Sequence, residues 1–183
     1  MKVMRARPPC LLVILLASCV SEIGAPGFDP SRPATTTSKL RAPPRVGFGP
    51  VADAMQPTCG TLDCHGQTGR NLRLFGGRGL RLDPMGSPAE GATTAAEYDA
   101  TYWSALALEP EIISAVVGDQ GARPERLTLI RKGRGTDLHK GGALMTAADD
   151  LDRCLVSWLA DAVEDAPCQR AAKFTSPIPR SME

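Results

Sequence analysis

The chain has 183 residues, enough for one domain of ordinary size, with 21 basic and 20 acidic side chains and a formal net charge of +1. Residues 1–18 hold Lys2, Arg5 and Arg7 and no acid, so the remainder carries 18 bases against 20 acids, a net charge of −2. That balance argues against a nucleic-acid partner, which needs a basic face, and an aromatic content of 4% makes a core of side chains alone a thin one.

The N-terminus reads as an export signal. The basic start precedes the apolar run Cys10-Leu11-Leu12-Val13-Ile14-Leu15-Leu16, which is too short for a stable membrane span. It ends in Leu16-Ala17-Ser18-Cys19, which resembles the bacterial lipoprotein signal. The resemblance implies cleavage after residue 18 and lipid on Cys19, whose acyl chains anchor at about 0.8 kcal/mol per buried CH₂. Val20 stands where an aspartate would point to inner-membrane retention, so the expected location is the periplasmic face of the outer membrane.

Residues 19–45 contain Pro26, Pro30, Pro33, Pro43 and Pro44 around Thr35-Thr36-Thr37-Ser38 and read as a tether. A domain over 46–168 is expected after it, and 169–183 reads as a loose tail. Phe48, Val51, Ala52 and Met55 fall at helical spacing, and Pro57 ends that helix. Leu72-Arg73-Leu74 and Leu80-Arg81-Leu82 alternate like two short extended segments around a glycine-rich turn. Thr94-Ala95-Ala96-Glu97 fits a capping box for a helix with Tyr98, Tyr102, Ala105 and Leu106 on one face. Pro110 opens a helix that ends at Gly118, and Pro124 opens another that Gly133 and Gly135 close. Thr146 or Asp149 caps the clearest helix, in which Leu151, Cys154, Leu155, Trp158, Leu159 and Ala162 recur at helical intervals. The expected fold is a small all-α domain of four or five helices with a long middle loop.

Cys59-Gly60-Thr61-Leu62-Asp63-Cys64-His65-Gly66 places two cysteines and one of only two histidines together. Its nearest chemical match is the c-type haem attachment signature, where two thiols form thioethers and the adjacent histidine ligates iron. The usual signature has two intervening residues; this one has four. Cysteines five apart on a regular helix point about 140° from each other, so the insert must bulge or turn, for which Gly60 and Asp63 are suited. Of the remaining cysteines, Cys10 leaves with the signal and Cys19 takes lipid. Cys154 and Cys168 are then free to pair in an oxidising compartment, worth about 3 kcal/mol for a loop of about 15 residues.

Cys-x₄-Cys-His-Gly, Gly79-Leu80-Arg81-Leu82, His139-Lys140-Gly141-Gly142 and Ser157-Trp158-Leu159 together resemble the single-haem cytochrome c-like domains of planctomycete and myxobacterial lipoproteins. The resemblance spans residues 46–163, and some bacterial cytochromes attach haem through cysteines four residues apart. It implies one covalent haem c held by Cys59, Cys64 and His65, one-electron transfer, and periplasmic redox proteins as partners. His139 is the expected second axial ligand, with Met145 as its rival and Met55 and Met85 as weaker ones. Arg131-Lys132-Gly133-Arg134 and the residues Arg70, Arg73, Arg78 and Arg81 can meet haem propionates or an acidic partner, or simply be solvated. No catalytic set and no small-molecule substrate are evident, so no enzymatic activity is expected. The alternative is a non-enzymatic envelope lipoprotein with disulfides Cys59–Cys64 and Cys154–Cys168, or with zinc on Cys59, Cys64, His65 and His139.

Overall fold

The computed structural model describes residues 39–88 and 90–173. The expected signal, the expected lipid position Cys19 and most of the expected tether lie outside them, as does the chain from residue 174 on. The described residues are all-α, as the sequence predicts, with six helices where four or five are expected, and no β-strand. These are α1 (Phe48–Met55), α2 (Ala95–Leu106), α3 (Pro110–Gly118), α4 (Thr128–Gly133), α5 (Asp150–Leu159) and α6 (Asp165–Ala172), with a 3₁₀ turn at Pro124–Arg126. None of them is long and apolar enough to cross a membrane.

The helix ends follow from local chemistry. Thr94 Oγ1 accepts from the Glu97 amide while Glu97 Oε2 accepts from the Thr94 amide, so the capping box forms in both directions. Asp149, rather than Thr146, caps α5 by accepting from the Asp152 amide at 2.9 Å. Pro110 occupies the first turn of α3, where its missing N–H leaves no bond unmade. The α4 helix has no cap of its own. Glu109, at the α2–α3 junction, supplies one from a distance by accepting from the Thr128 amide at 2.7 Å and its hydroxyl at 2.8 Å.

α1 packs against α5 and α6, and α5 against α6, around fully buried Phe48 and Trp158, whose ring centres are 4.9 Å apart. Cys154 and Cys168 form a disulfide that fastens α6 to α5, with Cα atoms 4.8 Å apart. Residues 165–172 are therefore a packed helix, and the chain stays ordered past the expected boundary at 168. The reason is that a disulfide and the buried side chains of Pro167, Cys168 and Ala171 hold a segment whose own sequence has little apolar character.

The N-terminal boundary also moves. Pro43 is fully buried and its carbonyl accepts from Tyr102 Oη at 2.8 Å, while the Pro44 carbonyl accepts from Trp158 Nε1 at 3.0 Å. Residues 41–45 are thus a strap laid on the core. Proline composition looks alike in a linker and in a strap, so the sequence alone does not tell these residues from the tether. Among the described residues the middle segment holds a single isolated bridge, Phe75 to Leu80, instead of paired strands. Its apparent alternation marks side chains that dip into the core, Leu72 and Leu74, with Arg73 left exposed.

Candidate functional site

The Cys59–Gly66 stretch leaves α1 in two consecutive turns. The Cys59 amide bonds to the Met55 carbonyl at 2.8 Å, prolonging the helix by a turn. The chain then folds back, with the His65 amide reaching the Cys59 carbonyl at 2.9 Å and the Cys64 and Gly66 amides both reaching Thr61. This is how the four-residue gap is accommodated: the insert closes on itself, and the two cysteines no longer share a regular helix. Gly60 does this without a left-handed backbone. Its role is close approach, since a Cβ there would stand 2.9 Å from the Gln56 side chain and 3.0 Å from its main chain. A Cβ on Gly66 would lie 2.3 Å from the Gly60 carbonyl oxygen, and one on Gly79 only 1.9 Å from the same atom. Gly60 therefore lets the motif close on the end of α1, Gly66 lets it close on itself, and Gly79 brings the following segment against it.

A cavity of about 690 Å³ opens beside this loop, within the ~300–1,000 Å³ range of ligand and cofactor sites. Cys59, Cys64, His65 and His139 all line it. Apolar walls come from Leu72, Leu108, Leu129 and Leu144, and Arg70, Lys132 and Lys140 bring positive charge. The rings of His65 and His139 are nearly parallel, at 16°, with centroids 5.9 Å apart. An imidazole reaches a metal through a bond of about 2 Å, so side chains this close could hold one ion between them.

Each site residue has an identifiable support. His65 Nδ1 lies 3.0 Å from the Leu72 carbonyl. With Nδ1 carrying the proton as donor, Nε2 keeps its lone pair for a ligand. Burial holds the His65 imidazole below the ordinary histidine value; the Leu72 carbonyl opposes this, and positive charge at His139, Arg70 and Lys132 adds to it. Burial also pushes the Cys59 thiol up to about 12, with a smaller contribution from Cys64. Arg70 donates from Nε to the Cys64 carbonyl at 3.0 Å and so clasps the motif loop. His139 comes from the irregular segment between α4 and α5, and its Nδ1 is buried without a hydrogen-bond partner.

Two thiols and two imidazoles on one cavity of this size are the residue types that a covalent haem would need. Cys59 and Cys64 are both free thiols. Among the described residues no three His, Cys, Asp or Glu side chains gather closely enough to hold a metal by themselves, as a Cys₂His₂ zinc site would need. Met145 is buried in the core against Gly133 and does not line the cavity; Met55 is likewise core, and Met85 is 88% exposed at the surface. In the basic run, Arg131 pairs with Asp137 and Arg134 with the buried Asp152, so only Lys132 faces the cavity. Arg81 is committed to Glu97, and Arg73 and Arg78 are exposed.

Sequence reasoning missed the Leu72 carbonyl, the Arg70 clasp and the leucine walls. None has a motif: a backbone acceptor carries no residue signature, and the leucines read as ordinary core positions. No protein-family model matches the chain, and neither a curated protein nor a solved structure is similar to it.

Proposed function

We propose that this is a c-type cytochrome-like electron carrier, exported and lipid-anchored through Cys19 at the periplasmic face of a bacterial membrane. In this reading Cys59 and Cys64 would hold one haem c covalently, and His65 and His139 would be its nitrogen ligands. The observation that carries the reading is the pair of near-parallel imidazoles, 5.9 Å apart across a cavity that both free cysteines line. When bound, the haem supplies one-electron oxidation and reduction. The chain's own residues do the rest. The Leu72 carbonyl fixes the His65 tautomer, Leu108, Leu129 and Leu144 exclude water, and Lys132 and Lys140 offset the charge of carboxylates at the cavity mouth. No general acid, base or nucleophile is assigned, and redox proteins of the periplasm are the partners.

The test is expression of the full chain in a host with haem-attachment machinery, followed by intact mass and visible spectra. The expected result is the mass of one covalent haem and a low-spin spectrum, with His139→Ala losing the low-spin signature and Met145→Ala keeping it. Absence of covalent haem where control cytochromes mature would falsify the reading. An unchanged low-spin spectrum in His139→Ala would remove His139 alone.

A further inference from the structure

His65 and His139 are held very differently. Nδ1 of His65 meets the Leu72 carbonyl at 3.0 Å, in a loop packed by glycines and clasped by Arg70. Nδ1 of His139 is buried and has no partner. The residue beside it offers none, because Gly141 has no side chain and a Cβ there would be only 3.4 Å from that nitrogen. A bonded second nitrogen orients an imidazole and raises its basicity, and removing such a partner typically weakens metal binding about 10- to 100-fold.

The segment carrying His139 is correspondingly loose. Among the described residues, 138–143 make one backbone hydrogen bond, from the Gly142 amide to the His139 carbonyl, and it is internal to the segment. Its neighbours on either side are fixed, Asp137 to Arg131 and Leu144 to the Gly133 carbonyl. Leu138 is 100% exposed at the rim of the cavity beside His139. Gly142 sits at φ +68° with nothing within 4 Å of a would-be Cβ, a left-handed position in open space.

We propose that His139 is the exchangeable member of the ligand pair: residues 138–143 swing it out of the cavity and admit a small strong-field ligand of the carbon monoxide or cyanide class, while His65 stays in place. This rests on the haem reading above. His139 would then make the site a place where a diatomic ligand can be sensed or captured, beyond carrying electrons.

The experiment uses the full chain with covalent haem, chemically reduced and mixed rapidly with carbon monoxide. The wild type is expected to bind it with a rate that levels off as carbon monoxide is raised, because departure of His139 becomes limiting. His139→Ala is expected to remove that ceiling. Gly142→Ala strains only the closed segment, so it is expected to raise the ceiling about 5- to 30-fold. A haem-bearing wild type that stays inert to carbon monoxide, or binds it with kinetics that His139→Ala leaves unchanged, overturns this proposal and leaves the haem reading standing. A chain without covalent haem overturns both.

Discussion

At Gly66 and Gly79 the backbone leaves no room for a methyl group, because both press on the Gly60 carbonyl oxygen. Gly66→Ala or Gly79→Ala should each destabilise the domain by at least ~1–3 kcal/mol, the usual range for overpacking, as read by urea unfolding. On the haem reading proposed above, the fraction of chains bearing covalent haem should fall with it. Glu97 makes a second residue-scale prediction. It is 2% exposed; burial alone would raise its carboxyl, but the Thr94 amide, Arg81 at 2.7 Å and the Leu82 amide together hold it below the ordinary glutamate value. A carboxyl depressed on folding contributes stability above its unfolded pKa and loses that contribution as pH falls through the folded one. Glu97→Gln should therefore cost ~3 kcal/mol at pH 7, as for breaking a buried ion pair, and the gap from wild type should shrink as both are acidified. Half of Glu97 was legible in the sequence. The capping box needs only residues three apart, whereas the Arg81 pairing depends on a loop returning across the helix start, which no local pattern encodes.

Among the elements, α5 and α6 differ in how they are specified. The α5 helix has a strong apolar face and its own cap, and its sequence pattern finds it without help. The α6 helix begins at Asp165 after an uncapped Glu164 and is retained by the Cys154–Cys168 bridge and its packing on α1. Replacing both cysteines with serine should cost about 3 kcal/mol, and α6 should lose hydrogen-exchange protection before α5 does. The same contrast explains the site. The loop Cys59–Gly66 was readable because two thiols and an imidazole in eight residues have few uses. The meeting of His65 with His139 was readable only as a guess by elimination, since 73 intervening residues must fold before the rings face one another.

For the molecule as a whole, the strap at 41–45 links three helices to the point where the chain enters the domain. The Arg41 amide donates to Ser114 Oγ on α3 at 2.7 Å, Tyr102 of α2 donates to Pro43, and Trp158 of α5 donates to Pro44. Trp158→Phe keeps most of the ring and deletes one donor, so it should cost about 1–3 kcal/mol in urea unfolding, from a partly buried carbonyl left unpaired and the space left by the lost part of a fully buried ring. It should also make the bond after Arg45 an earlier site of limited tryptic cleavage. Seen mechanically, the strap decides where tension enters. A pull along the chain from the N-terminal side loads the Arg41–Ser114 bond first and the Pro43 and Pro44 carbonyls next, and through Tyr102 and Trp158 it loads the central core. The domain should therefore resist until it yields all at once. In a single-molecule pulling experiment the wild type should give one sharp rupture, and Trp158→Phe an earlier, smaller step as residues 41–45 peel away before the helices part.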